Sequence, residues 1–304
     1  PEFYSMQTID NDVSMGLGLF KQKVQTNGEP VTFLLDKDWE NSAPSWMTDA
    51  EFAENVAATI LYYRNQHGIN INFNSIDNEP NYYDPYTPAR QQEMIKVIGP
   101  AWQNFGISTK IALNEGFDAK STWDYITQMQ NDSAVWPHIG LLNWHLYGAN
   151  DPYRSYIRDF AKTKGIPTAQ TEYPATINNL IEDLTLVGVS YWTRYHITGR
   201  GNSSTAGGAG SSFVGDLGRT SFWKNLEYWK FRQFMRYVRP DAVRIDAISN
   251  TSAIKSFAFE KSGKRVVVLV NTGGGLDITV KGLPQGSYGV SQAIGTQIYT
   301  ELGV

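Results

Sequence analysis

The chain of 304 residues contains no cysteine and only four histidines. The first absence excludes disulfides, thiolate metal sites and cysteine nucleophiles. The histidines show none of the spacings of a metal-binding motif, and the glycine-rich stretches lack the context of a phosphate-binding loop. We therefore expect no metal and no other cofactor.

An excess of positive charge and long apolar runs are also lacking. Thirty acidic and 26 basic side chains give a net charge of −4, so a nucleic-acid partner is not expected. No apolar run approaches the length that spans a bilayer, and we expect no membrane contact. Pro1-Glu2-Phe3 resembles the remnant of a cloning site, so these residues are excluded from the fold prediction and the missing leader carries no weight.

Aromatic residues are abundant instead, at 13% of the chain against 18% for charged residues. Sugar rings present flat C–H faces that pack on aromatic rings, so this balance suits a carbohydrate binder. A large aromatic core would explain the same composition equally well.

Strand-like and helix-like segments alternate from about residue 30 to residue 195. This order predicts a parallel sheet, and most economically an incomplete (β/α)8 barrel. Two barrel strands are not visible. The strand-like segments are residues 31–35, 69–76, 110–114, 139–147, 167–173 and 188–195.

The composition and pattern of the sequence change towards its C-terminus. Residues 199–212 are rich in Gly and Ser and predict a mobile lid or linker, and an aromatic helix is expected over 223–238. Short β-runs follow at 256–259, 266–270 and 276–280. We expect a barrel domain over residues 4–240 and a small antiparallel, sandwich-like β-domain over 241–304.

Two carboxylates follow predicted strands at what would be the same rim of the barrel. Glu79 stands in Asp77-Asn-Glu-Pro80, and Glu172 stands in Thr171-Glu-Tyr173. Glycoside hydrolysis needs two such groups, because one protonates the leaving oxygen while the other attacks or orients water. Either glutamate taken alone is more often a helix cap or a solvated loop charge, and the prediction depends on the two together.

Further side chains with sugar-binding chemistry fall near predicted strand ends. His145 and Tyr147 lie two residues apart and can share one face, although a hydrogen-bonded core imidazole is the alternative for His145. Trp39 and Trp192 are the best candidates for stacking on sugars. Glu115 could be a hydrogen-bonding partner in the site, and we assign it no proton-transfer role.

Several segments resemble glycoside hydrolase family 30. Asp38-Trp-Glu-Asn-Ser-Ala-Pro-Ser-Trp-Met47 is similar to its strand-3 segment, Trp144-His-Leu-Tyr147 to its strand-6 segment, and Phe231–Ile245 to its passage into the β-sandwich. The resemblance runs from about Trp39 to Leu283 and identifies the six strands as barrel strands 3 to 8. Asp241 stands where that family usually has glycine.

The resemblance implies a retaining glycosidase with Glu79 as acid/base, Glu172 as nucleophile and Asn78 on the sugar 2-hydroxyl. The substrate would be a β-linked polysaccharide or oligosaccharide of the xylan, β-glucan or β-galactan type, and we expect a secreted or extracellular protein. The alternative is a non-catalytic carbohydrate-binding protein or an inactive truncated glycosidase. Turnover abolished by Glu172→Gln would distinguish the two.

An incomplete barrel leaves two strand edges with unpaired backbone groups, which are costly when buried. Either the segment before Val31 or a second copy could cover them. The symmetric choice predicts a possible homodimer through residues near Val31–Leu35 and Val187–Tyr191.

Overall fold

The structure is a computed structural model that describes residues 6–36, 47–80, 82, 86–195, 198–200, 213–215, 222–224, 226–294 and 297–303. The chain forms two compact units, Pro1–Tyr195 and His196–Val304. The domain boundary predicted near residue 240 falls inside the second unit. Trp39 and most of the Gly/Ser-rich segment lie outside the described residues.

The first unit is built on a curled sheet of six parallel strands in chain order. The strands are β1 (Leu34–Asp36), β2 (Phe73–Ser75), β3 (Lys110–Gly116), β4 (Ile139–His145), β5 (Thr168–Glu172) and β6 (Tyr191–Trp192). The helices are α1 (Met6–Asp12), α2 (Gly18–Thr26), α3 (Asp49–His67), α4 (Pro88–Asn104), α5 (Ala119–Met129), α6 (Tyr153–Lys164) and α7 (Ile177–Leu186), with a π-helical turn at Val13–Leu17 and a 3₁₀ turn at Trp136–His138. One α-helix joins each strand to the next, which confirms the predicted incomplete (β/α) barrel.

Local sequence signals explain where the helices start and stop. Thr48 and Glu51 form a reciprocal capping box at the start of α3, and Gly68 ends that helix with a left-handed φ of 60°. The Asp118 carboxylate accepts from the Ser121 N–H to begin α5. Because α5 follows directly after β3, this cap fixes the loop at the carboxyl end of that strand. None of the described helices is long and apolar enough to cross a membrane.

The interior of the curled sheet is apolar at the end away from the carboxyl ends of the strands. Leu34 and Phe73 pack against a buried cluster of Ala112, Leu141 and Ala169. Strand side chains alternate between the two faces, so the next inward positions lie one layer closer to the carboxyl ends of the strands. Those positions carry polar side chains, and the functional site lies there.

The two outer strands are shorter than the sequence predicts. Residues 31–33 are not part of β1. The Phe33 N–H donates to the Asn72 side chain at 2.9 Å instead of to a neighbouring strand. β6 has only two residues, Tyr191 and Trp192, and pairs with β5. The Tyr191 ring meets Phe73 of β2 edge to face at 5.8 Å between centroids. This apolar contact joins two strands that do not pair with each other.

The described residues of the second unit form one helix and three small sheets. Its elements are β7 (Thr198–Arg200), β8 (Phe213–Gly215), β9 (Phe222–Lys224), α8 (Leu226–Met235), β10 (Val243–Ile245), β11 (Ile254–Lys261), β12 (Lys264–Asn271), β13 (Val290–Ile294) and β14 (Gln297–Gly303). β10, β11 and β12 form the antiparallel sheet expected from the sequence.

One predicted strand of this unit is wrong. Residues 276–280 alternate apolar and polar side chains but form no strand. Leu276, Ile278 and Val280 are 44–50% exposed, so no described strand pairs with this segment to bury its apolar face. Asp241 has a left-handed φ of 65°, which explains why glycine suits this position in the family that the sequence resembles.

Candidate active site

Four titratable side chains meet at the carboxyl end of the curled sheet. Glu79 lies just beyond β2, Glu115 lies near the end of β3, His145 ends β4 and Glu172 ends β5. Because the strands are parallel, these ends share one rim, which is where barrel enzymes place their chemistry. The fold therefore brings both predicted carboxylates to one site.

His145 bridges two of the carboxylates. Its Nδ1 lies 2.7 Å from Oε1 of Glu79, and its Nε2 lies 2.9 Å from Oε2 of Glu115. Burial lowers the pKa of His145, but the hydrogen bonds to Glu115 and Glu79 outweigh burial and raise that pKa to about 9. The imidazole is therefore a cation at neutral pH and donates from both nitrogens.

Glu115 is the buried partner of this cation. Burial raises the pKa of its carboxyl, but the hydrogen bond and charge of His145 overcome that effect, helped by the hydroxyls of Thr171 and Ser75. The net result is a lowered pKa, so Glu115 is an anion. Its Oε1 accepts from the Ser75 hydroxyl at 2.7 Å, and Oε2 accepts from Thr171.

Two of the glutamates have strained backbones. The φ angles of Glu79 and Glu115 are 48° and 53°, in a region that non-glycine residues rarely adopt. The Glu79 N–H donates to the Glu115 carbonyl at 2.9 Å, so each conformation supports the other. Such strain clusters at functional sites, where the surrounding structure maintains it.

Glu172 is held by a different neighbour. The Tyr147 hydroxyl donates to Oε1 of Glu172 at 3.0 Å. Burial and then this hydrogen bond raise the pKa of Tyr147, so the phenol keeps its proton and remains a donor at all ordinary pH values. Among the described residues, no side chain hydrogen-bonds the other oxygen of Glu172.

A metal ion could use part of this geometry, because one atom from each of Glu79, His145 and Glu172 lies within 4.8 Å of the others. Ligation by His145 would need a ring nitrogen without a proton. Both nitrogens of His145 face carboxylates, and its raised pKa keeps them protonated. Hydrogen bonding therefore accounts for the arrangement, and a site without metal stays a prediction.

The comparisons with known proteins agree in fold. The catalytic domain of GH30 xylanase C from Talaromyces cellulolyticus matches with a TM-score of 0.61 and 20% identity, over 76% of this chain and 55% of that one. The family 30 subfamily 8 xylanase Xyn30A from Clostridium acetobutylicum matches with a TM-score of 0.61 and 18% identity, over 83% and 65%. The fold is GH30-like.

A third similar structure carries the name of a different activity. The endo-β1,6-glucanase BT3312 matches with a TM-score of 0.58 and 19% identity, over 84% of this chain and 61% of that one. The chain therefore spans between 55% and 65% of the length of these three structures. No family model matches the sequence, and no curated protein matches it.

Most of the predicted site residues lie close together at the carboxyl end of the sheet. Glu79, His145, Tyr147 and Glu172 form one connected group. Asn78 precedes Glu79 and is half-buried, and its Oδ1 has no hydrogen-bond partner among the described residues. An acceptor without a partner suits a hydroxyl of a ligand.

The two predicted sugar-stacking tryptophans are not part of this group. Trp39 lies outside the described residues. The Trp192 indole N–H donates to Oδ2 of Asp183 in α7 at 2.9 Å, whereas its neighbour Tyr191 contacts Phe73 inside the sheet. Trp192 thus faces the helix layer, and its role in sugar binding stays a prediction.

Sequence reasoning missed two features of the site. It gave Glu115 only a possible supporting role, although this carboxylate lies at the centre of the network. It also missed three aromatic side chains at the rim, Tyr82, Phe117 and Tyr173. The signal for these was an aromatic residue shortly after each of β2, β3 and β5.

Proposed function

We propose that this chain is a retaining glycoside hydrolase that cleaves β-linked polysaccharide or oligosaccharide. The proposal has Glu79 as general acid/base and Glu172 as nucleophile. The GH30-like fold supports the choice of reaction class, and the geometry of the two carboxylates supports the choice of mechanism.

The distance between the carboxylates carries the proposal. One oxygen of Glu79 lies within 4.8 Å of one oxygen of Glu172. Retaining glycosidases place the two carboxyl groups about 5–5.5 Å apart, whereas inverting enzymes need about 6.5–9.5 Å to admit a water molecule. The short separation supports direct attack by one carboxylate on the anomeric carbon.

Glu172 suits the role of nucleophile. Tyr147 donates to Oε1 and orients the carboxylate, which leaves Oε2 to attack the anomeric carbon. The glycosidic bond breaks as the bond from Oε2 to carbon forms, and the leaving oxygen takes a proton from Glu79. Water deprotonated by Glu79 then hydrolyses the glycosyl ester and restores both groups.

Glu79 suits the role of acid/base because one of its oxygens is already engaged. Oε1 accepts from the His145 cation, and no described side chain hydrogen-bonds Oε2. A proton on Glu79 therefore resides on Oε2 and is available to the leaving group.

The similar structures and the site support the proposed substrate class. The named activities of the similar structures are those of xylanases and an endo-β1,6-glucanase, and the proposal covers β-linked polymers of xylose, glucose or galactose. Asn78 would hydrogen-bond the sugar 2-hydroxyl. The proposal includes action outside the cell, because intact polysaccharides are too large to enter cells.

Two substitutions test the proposal once a substrate is found by reducing-end release from xylan, β-glucan and β-galactan. Glu172→Gln should remove nearly all activity on every substrate. Glu79→Ala should lose activity on the polysaccharide but retain much of it on an aryl glycoside, whose leaving group needs little protonation. Glu54→Gln, an exposed change on α3, is the matched control and should behave as the unaltered protein.

The rival function is carbohydrate binding without catalysis. It predicts retention of the protein in an affinity gel that contains the polysaccharide, together with no release of reducing ends at any enzyme concentration. That result would contradict the proposal, as would equal losses for the Glu79 and Glu172 variants on the aryl glycoside.

A further inference from the structure

The sheet of β10, β11 and β12 has a different neighbour on each face. Phe257 of β11 meets Phe234 of α8 edge to face, at 5.8 Å between ring centroids. Strand side chains alternate between the two faces, so Ser256 and Ala258 of β11 point away from α8. On that side lies a groove of about 780 Å³, lined by the sheet and by residues 276–283. The chain that follows β12 therefore leaves this face of the sheet loosely covered.

Residues 276–281 have the side-chain pattern of a strand but pair with no described strand. The chain makes no turn or bend there, and its apolar side chains, Leu276, Ile278 and Val280, are 44–50% exposed. Among the residues that the structure describes, none hydrogen-bonds the backbone of this stretch. Unpaired backbone groups beside exposed apolar side chains are a template for pairing with another chain. We call these six residues the unpaired segment.

The pattern of the unpaired segment limits how a second copy of the chain can pair with it. In an antiparallel pair, side chains directly opposite each other point to the same face of the sheet. The apolar side chains of both copies therefore share one face only if Ile278 lies opposite another even-numbered residue. A register that sets Ile278 against Asp277 or Thr279 mixes apolar and polar side chains on both faces and buries less apolar surface.

Charge selects one of the remaining registers. With Thr279 of one copy opposite Thr279 of the other, Asp277 lies opposite Lys281, and two-fold symmetry forms this ion pair twice. A shift of two residues in either direction sets Asp277 opposite Thr279 or Leu283 instead, and both ion pairs are lost. The unpaired segment thus complements itself in apolar side chains and in charge, as the interface of a two-fold dimer requires.

We propose that the unpaired segment forms an antiparallel strand pair with the same segment of a second copy of this chain, centred on Thr279. Backbone hydrogen bonds between the two strands supply affinity, and the ion pairs of Asp277 with Lys281 fix the register. The interface is small, so we expect a dissociation constant of about 1 to 100 µM. It uses residues different from those of the dimer predicted through β1 and β6.

Exchange of the two charges tests the proposal. Asp277→Lys and Lys281→Asp each replace both ion pairs by like charges, so either variant alone should raise the dissociation constant at least about tenfold. The double variant restores two ion pairs and should dimerise like the unaltered protein. An equimolar mixture of the two single variants should also recover dimers, because each copy supplies the charge that the other lacks. Sedimentation velocity over about 1 to 200 µM protein measures the association.

A cross-link tests the centre of the strand pair. The chain has no cysteine, so Thr279→Cys introduces a single thiol, which the two-fold pairing sets opposite its own copy at a separation close to that of a disulfide. Mild oxidation should give a covalent dimer on a non-reducing gel. Ser262→Cys, in the exposed turn between β11 and β12, is the matched control and should run as a monomer.

Equal association of the unaltered protein and both single variants would overturn the proposal, because dimerisation would then depend on another surface. A monomer at the highest concentration would overturn it as well, and so would a mixture or double variant that fails to recover dimers. Cross-linking of Ser262→Cys as fast as of Thr279→Cys would contradict the pairing at Thr279. Asp277 and Lys281 are exposed, and circular dichroism checks that the variants keep the fold.

Discussion

Raising the pH from about 6.5 to about 9 is predicted to destabilise the protein through the buried imidazole of His145. The pKa of this group rises from an ordinary 6.5 to about 9 because its hydrogen bonds to Glu115 and Glu79 outweigh burial. A raised folded-state pKa means that the folded protein binds the proton more tightly than the unfolded chain does. The extra stability is therefore fully present below pH 6.5 and is lost as the pH rises through about 9.

The shift from 6.5 to about 9 sets the size of the effect. Each pKa unit corresponds to about 1.4 kcal/mol, so this side chain contributes about 3 kcal/mol that disappears over the interval. His145 is only 1% exposed, so solvent does not screen the interaction appreciably. A loss of this size is a large fraction of the stability of an ordinary domain.

Urea unfolding followed by far-ultraviolet circular dichroism at pH 6, 7, 8 and 9 measures the effect. The decisive quantity is the loss of unfolding free energy between pH 6 and pH 9. In His145→Gln this loss should be smaller by about 3 kcal/mol than in the unaltered protein.

His138→Gln is the control. Burial lowers the pKa of His138, so this histidine affects stability only as the pH falls and its removal should leave the alkaline loss intact. The same alkaline loss in His145→Gln and in the unaltered protein would refute the cationic state of His145.

Three further predictions concern other parts of the molecule. Tyr147→Phe removes the hydrogen bond to the Glu172 carboxylate and should lower kcat about 10- to 100-fold on an aryl glycoside, without changing the midpoint of thermal unfolding by more than a few degrees. Asp241→Gly relieves a left-handed φ of 65° and should raise the unfolding free energy by about 1 kcal/mol in urea titrations, and a decrease would contradict the strain. Among the described strands, β1 and β6 each pair on one side only, so we predict a homodimer through Val31–Leu35 and Val187–Tyr191. Light scattering at low micromolar protein measures the mass, and a value near 34.1 kDa would exclude the dimer.

The sequence predicted the sheet and the rim because both depend on local patterns. Alternation of strands and helices determines a parallel order, and parallel order brings strand ends together. Glu79, His145 and Glu172 could therefore be placed at one rim from their positions after strands. The lengths of β1 and β6 could not be predicted, because strand length at an edge depends on which neighbours pair with it.

The central position of Glu115 was hidden by an irregularity in β3. Ala112 faces the interior, so strict alternation would turn Asn114 inward and Glu115 towards the helices. The register between β3 and β4 shifts after Leu113, and Glu115 adopts a left-handed φ. The Asn114 side chain then accepts from Thr122 in α5 while Glu115 reaches His145. No pattern in the local sequence predicts such a shift in register.

The stereochemistry of the first product tests the central claim most directly. Proton NMR should be recorded during the first minutes of hydrolysis of the active polysaccharide, before mutarotation equilibrates the anomers. A Glu79–Glu172 pair with oxygens within 4.8 Å predicts that the new reducing end appears first as the β-anomer, because two displacements restore the starting configuration. First appearance of the α-anomer would contradict the assignment of Glu172 as a nucleophile and the account built on it.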